Sequence, residues 1–155
     1  MRRKEREITD PGVIDKVIGR TNVCHVALAD GDMPYIVAMN FGYKRGNPSV
    51  LYFHCAPAGR KLDIIERNSN ACFQLDTGHN LVEGEKACDF TMKYSSVLGF
   101  GTIAVVTSTE EREAGLNIIM QQYTGRDDYS FNPSTMSRTT ILKLVISEIS
   151  CKIVE

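Results

Sequence analysis

No uninterrupted apolar run in this 155-residue chain exceeds a few residues. A membrane-spanning helix needs roughly 20, so no segment is read as one. The opening MRRKEREITD leads into no apolar signal core. Cysteine is present but not patterned: Cys24, Cys55, Cys72, Cys88 and Cys151 are odd in number and widely spread, with no CxxC pair and no zinc-ligand spacing. They read as reduced thiols of a cytoplasmic protein, with no metal site expected. An excess of one charge is missing too. Eighteen Lys+Arg against 19 Asp+Glu leave a net charge of -1, which argues against general binding to nucleic acid or anionic membranes. Three nucleotide and hydrolase signatures are lacking: GxxxxGK[ST], GxGxxG and GxSxG do not occur.

What is there is an ordinary globular composition, 43% hydrophobic and 24% charged. The length fits one compact domain over residues 1–155, large enough to bury a core without a metal or disulfide. The first six residues carry the bases Arg2, Arg3, Lys4 and Arg6, read as a solvated arm. Asp10 and Pro11 open a helix that Gly19 closes, with Val13, Ile14, Val17 and Ile18 on its apolar face. Six strand patterns follow: Val23 to Ala29, Pro34 to Tyr43, Val50 to Cys55, Ala71 to Leu75, Phe90 to Val106, and Thr140 to Val154. In the second, Tyr35, Val37, Met39, Phe41 and Tyr43 share one face. Ile36, Ala38, Asn40 and Gly42 make the smaller, more polar face. Gly99 and Gly101 predict a bulge or bend, and a phase shift near Ser147 to Ile149 predicts another. Helices are expected from about Arg60 to Arg67 and from a Ser108/Glu111 capping box to Gly125. Asp76 to Asp89 and Arg126 to Thr139 read as loops. Tight turns between the early strands make the sheet antiparallel and barrel-like rather than doubly wound.

The sharpest chemical signal is Ala58-Gly59-Arg60-Lys61 at a helix start. Bases there oppose the helix dipole, and become favourable once an anion such as phosphate sits on the free N–H groups. Two solvated bases on a surface turn have the same sequence. His54 ends the third strand just before this turn, where it can bond a ligand, carry a proton or cap the sheet. Cys55 lies near both bases and is the one cysteine kept as a candidate thiolate. Ser95 and Ser96 can receive a phosphate or a ring carbonyl, or face solvent. His25 beside Cys24 is no metal pair, because adjacent strand residues point to opposite faces. His79 is expected to be solvated.

Taken together, Tyr52-Phe53-His54-Cys55, Gly59-Arg60-Lys61 and Lys93-Tyr94-Ser95-Ser96-Val97-Leu98-Gly99-Phe100-Gly101 resemble the FMN-binding split-barrel family related to pyridoxamine 5'-phosphate oxidase, and within it the 5-nitroimidazole resistance branch. That resemblance implies a mainly β, six-stranded antiparallel split barrel. It also implies a homodimer with two FMN sites at the subunit interface. Arg60 and Lys61 would bind the FMN phosphate, and Val37, Ala38, Met39 and Asn40 would run along the isoalloxazine ring. His54 and Cys55 would lie close to the flavin, with Ser95 and Ser96 contacting it. His54 becomes the catalytic candidate of an FMN-dependent oxidoreductase acting on a small organic, possibly nitroaromatic, substrate. The residues by which the oxidase recognises pyridoxal phosphate are not matched, so vitamin B6 is not the expected substrate. Two other readings remain: a flavin-binding or electron-transfer module without its own substrate, and a haem or deazaflavin binder.

Overall fold

Alternation with a period of two, the strongest pattern in the chain, builds eight antiparallel strands in a computed structural model that describes residues 6–154. Arg2, Arg3 and Lys4 of the basic arm lie outside the described residues. In chain order the elements are β1 (Glu7–Ile8), α1 (Pro11–Gly19), β2 (Cys24–Asp30), β3 (Met33–Met39), β4 (Phe41–Lys44), β5 (Val50–Cys55) and α2 (Arg60–Arg67). After these come β6 (Asn70–Val82), β7 (Thr91–Val105), α3 (Thr109–Thr124), α4 (Pro133–Met136) and β8 (Thr140–Val154). The strands hydrogen-bond in the order β3-β2-β6-β7-β8-β5-β4, and β1 adds to β8.

The two edge strands of that order, β3 and β4, are consecutive in sequence with only Asn40 between them. Two Cα steps span less than about 8 Å, so the sheet must curl until its edges meet. The result is a barrel with a seam between β3 and β4. The six expected strands become eight because β1 is added and because the run from Pro34 to Tyr43 breaks at Asn40. The break has a local cause. The Tyr123 hydroxyl accepts from the Phe41 N–H at 3.0 Å and from Asn40 Nδ2 at 3.3 Å, and donates to the Asn22 carbonyl at 2.8 Å. That Phe41 N–H is satisfied by a side chain rather than by a neighbouring strand.

Inward-facing residues fill the barrel. Val26 and Leu28 of β2, Phe41, Leu51, Phe53, Phe73, Leu75, Val97, Leu142 and Leu144 are buried in one cluster, joined by Ile18 of α1 and Ile64 of α2. A second cluster lies on the outer face of β5 and β8, where Tyr52 and Ile141 pack against Ile119 of α3. The helix lies so close there that a Cβ on Gly42 would stand 2.5 Å from the Ile118 backbone. Both expected bulges form together. Phe100 pairs with Glu148 and Gly101 with Ile146, leaving Ser147 as the extra residue.

The segment expected as a loop from Asp76 to Asp89 is strand as far as Val82, and its hairpin with β7 shifts register between Thr77 and Asn80. The expected loop from Arg126 to Thr139 contains the short α4, capped by Asn132. The Ser108 hydroxyl accepts from Glu111 N–H as expected, but the Glu111 carboxylate turns away to Tyr52 and Lys143, so the capping box is half made. No helix among the described residues is long and apolar enough to cross a membrane.

Candidate functional site

The α2 N-terminus is open. Gly59 caps it in an extended left-hand conformation, φ 142°, and no side chain bonds to the first turn. A Cβ on Gly59 would find nothing within 4 Å, so the backbone stands beside free space. Gly59 is therefore fixed by its φ, which side-chain-bearing residues rarely adopt. The Gly59 carbonyl takes the Leu62 N–H at 2.8 Å, leaving the earliest helical N–H groups outward as the geometry of any helix start requires.

Arg60 and Lys61 stand at this end but face differently. Arg60 Nε and Nη2 donate to Asp30 Oδ2 at 3.3 and 3.2 Å, and the guanidinium lies 5.0 Å from the Tyr35 ring centroid. Lys61 lies near Cys55, whose half-buried thiol is pushed up in pKa by burial and pulled back in part by the Lys61 charge. Burial wins, so Cys55 is a thiol rather than the thiolate that a nucleophile requires.

The remaining candidates of this half meet at the seam. The β4–β5 register ends at Phe41↔Phe53, so the next residues along, Asn40 and His54, flank the seam's open end. Ala38 and Asn40 are exposed on the small outward face, while Val37 and Met39 turn toward the core. His54 is exposed and Cys55 half-buried. The strand carrying His54 is tied to α3 just beneath it. Glu111 Oε1 accepts from the Tyr52 hydroxyl at 3.0 Å and from Lys143 Nζ at 2.6 Å. Burial, then the bond to Glu111, pushes the Tyr52 phenol up to about 12.

Ser95 and Ser96 do not join this group. They sit on β7, three strands from β3 and opposite Ile153 and Lys152 of β8, whereas His54 sits opposite Ile141. Eleven residues of β8 separate those two points (152 − 141), roughly 35 Å of strand. Around the serines lies a polar constellation the sequence did not single out. His79 is exposed, as expected, and its Nε2 meets Asp76 Oδ2 at 3.0 Å. Its ring stacks on Tyr94, and Lys152 Nζ donates to the Tyr94 hydroxyl. The ammonium stands off the hydroxyl end of Tyr94, 4.8 Å from the ring centroid, so the hydrogen bond outweighs any attraction to the ring face.

Asp30, Tyr35 and Tyr123 were also missed. Tyr123 was legible only as part of an apolar helix face, and nothing in the Asp30-Gly31-Asp32 turn signals an arginine partner at the start of another element. The cleft nearest α2, about 530 Å³, is lined by Pro57, Ala58, Leu62, Ile65 and Val105 and leaves Arg60 and Lys61 outside it.

Residues 10–153 match the family profile described as pyridoxamine 5'-phosphate oxidase. No curated protein sequence matches the chain. Among solved structures, a candidate 5-nitroimidazole antibiotic resistance protein from Bacteroides thetaiotaomicron shares 30% identity over 95% of this chain and 86% of its own, with a TM-score of 0.82. The flavocytochrome Anf3 from Azotobacter vinelandii shares 19% identity over 100% of this chain and 72% of its own, at a TM-score of 0.82. An FAD and haem binding protein from Mycobacterium smegmatis shares 18% over 97% and 74%, at 0.79. The last two are alike in fold.

Proposed function

Because the chain belongs to the pyridoxamine 5'-phosphate oxidase family, we propose that it is an FMN-dependent oxidoreductase of a small organic substrate, nitroaromatic compounds foremost, working as a homodimer. The observation that carries this reading is the uncapped α2 N-terminus, with free space beside Gly59 and two cations on its first turn. It is chemically suited to a phosphate monoester. The 30% identical structure, described as a candidate nitroimidazole resistance protein, supports the substrate class.

In this reading Lys61 and Arg60 hold the phosphate. The small outward side chains of Ala38 and Asn40 admit a flat ring to the backbone of β3. When bound, FMN supplies the exchange of electrons with the substrate. His54, exposed at the open end of the seam, orients the substrate and holds a proton at its imidazole for transfer. Cys55, kept protonated by burial, is a contact rather than a nucleophile. Since Ser95 and Ser96 lie far from His54 in one chain, they serve the site of a second copy. The outward face of β7 that carries Ser96 also carries Leu98 and Phe100, 42% and 46% exposed.

The test is the absorbance spectrum of the purified full chain with identification of the released cofactor. Flavin bands and released FMN are expected, and Arg60→Ala with Lys61→Ala should strip the flavin. Unchanged flavin content would overturn the phosphate assignment. His54→Ala should keep FMN while turnover of a nitroaromatic probe falls by about 10²-fold, the usual scale for a proton-transfer group. Loss of FMN in that variant would make His54 a cofactor ligand instead. A Soret band would favour haem, a ligand named for the Mycobacterium smegmatis fold neighbour.

A further inference from the structure

Asp30 closes β2 at a two-residue hairpin turn, where Gly31 takes φ 62° and Asp30 pairs with Met33. Its carboxylate is one-quarter exposed and bonds two arginines of α2 at once. Arg67 Nη2 donates to Oδ1 at 2.7 Å, while Arg60 donates to Oδ2 through Nε and Nη2. The arginines are seven residues apart, two helical turns, and so lie on the same face of α2. One carboxylate therefore ties both ends of the helix to the hairpin. The Tyr35 ring, four residues after Gly31, lies 5.0 Å from the Arg60 guanidinium.

From this geometry we infer that Asp30 is the positioning residue of the phosphate site: it holds Arg60 against Tyr35 with the rest of its donor fork free for the ligand. The inference rests on the phosphate reading of Arg60 and Lys61 given above. Arg60 has five N–H donors, and Asp30 engages only the Nε and Nη2 edge. Nη1 is left for a phosphate oxygen. Without Asp30, a long side chain that is 58% exposed must be ordered by the ligand itself, and that lost freedom weakens binding. The opposing effect, removal of a negative charge beside an anion site, is screened by solvent, because the Arg60 and Arg67 side chains are both more than half exposed. Pre-organisation decides the sign.

The experiment compares FMN with riboflavin, which lacks the phosphate, by fluorescence titration of the flavin-stripped full chain. Asp30→Asn should weaken FMN by about three- to tenfold and leave riboflavin unchanged, since a merely structural defect would weaken both. Asp30→Glu, which keeps the carboxylate, should retain more of the preference for FMN than Asp30→Asn. In an Arg60→Ala background the Asp30→Asn effect should vanish, because the two residues act as one unit. If Arg60→Ala collapses the FMN preference while Asp30→Asn leaves or increases it, the role of Asp30 is overturned and the phosphate site stands. If Arg60→Ala and Lys61→Ala both leave the preference intact, the phosphate site itself is overturned.

Discussion

The Glu111 carboxylate accepts the Tyr52 hydroxyl and the Lys143 ammonium at a single oxygen, and so joins α3 to two strands at the outer wall of the barrel. The Lys143 bond is the main reason its carboxyl titrates below the ordinary 4.5, with burial working against it and Tyr52 adding to it. A carboxyl whose folded pKa is depressed contributes stability that is fully present above the unfolded value. That contribution is lost as pH falls through the folded value. Both partners are about one-third exposed, so solvent screens the pair and its contribution is on the order of 1 kcal/mol. Glu111→Gln should therefore lower Tm by a few degrees at neutral pH, and the gap to the parent chain should narrow progressively as pH falls below the ordinary 4.5. Thermal melts of both proteins across that range check it. A gap that persists in acid would mean the packing of α3, rather than the charge, is what the substitution disturbs.

At the scale of elements, the sequence reads well wherever one side of a segment is wet and the other dry. The face assignment of Val37 and Met39 against Ala38 and Asn40 follows the observed burial for that reason. So do the helices at Arg60–Arg67 and Thr109–Thr124, the latter closed by Gly125 at φ 74°. Alternation carries no record of which neighbour a strand bonds, however. The pattern from Pro34 to Tyr43 runs unbroken through Asn40, although the chain changes sheet edges there, because the inward face stays inward on both sides of the seam. The polar stretch from Asp76 to Val82 hides a strand for the opposite reason. Its outer part is a hairpin arm with Leu81 and Met92 opposite one another and both exposed, so no dry side imposes a pattern. Half of the candidate site was legible in the same way. Gly59, Arg60 and Lys61 announce themselves through helix-start chemistry, but Asp30 and Tyr35 reach them only through the barrel's closure, which no local window contains.

The whole molecule presents one feature that the isolated chain leaves unexplained. Ile36, Ala27, Cys72 and Phe100 form a continuous row across the outer face of β3, β2, β6 and β7, and Ala38, His25, Gln74 and Leu98 form the row beside it. Ile36 is 65% exposed, and the buried His25 Nδ1 has no hydrogen-bond partner. Six of these eight side chains are apolar, with His25 and Gln74 among them, and a face of this kind marks an interaction surface. It is also the face that carries Ala38 and Ser96, which the proposed site needs from two different copies. In the homodimer proposed above, a second copy of this chain would cover these rows and complete the site in one step. Leu98→Asp with Phe100→Asp places two charges in that contact while touching no buried residue. Sedimentation should then report 17.3 kDa instead of twice that mass, the melting transition should remain cooperative, and bound FMN should be lost along with the dimer. A variant that stays dimeric would move the interface elsewhere on the barrel. A monomer that still holds FMN would show that Arg60, Lys61 and the β3 face suffice within one chain, leaving Ser95 and Ser96 without a part in binding the cofactor.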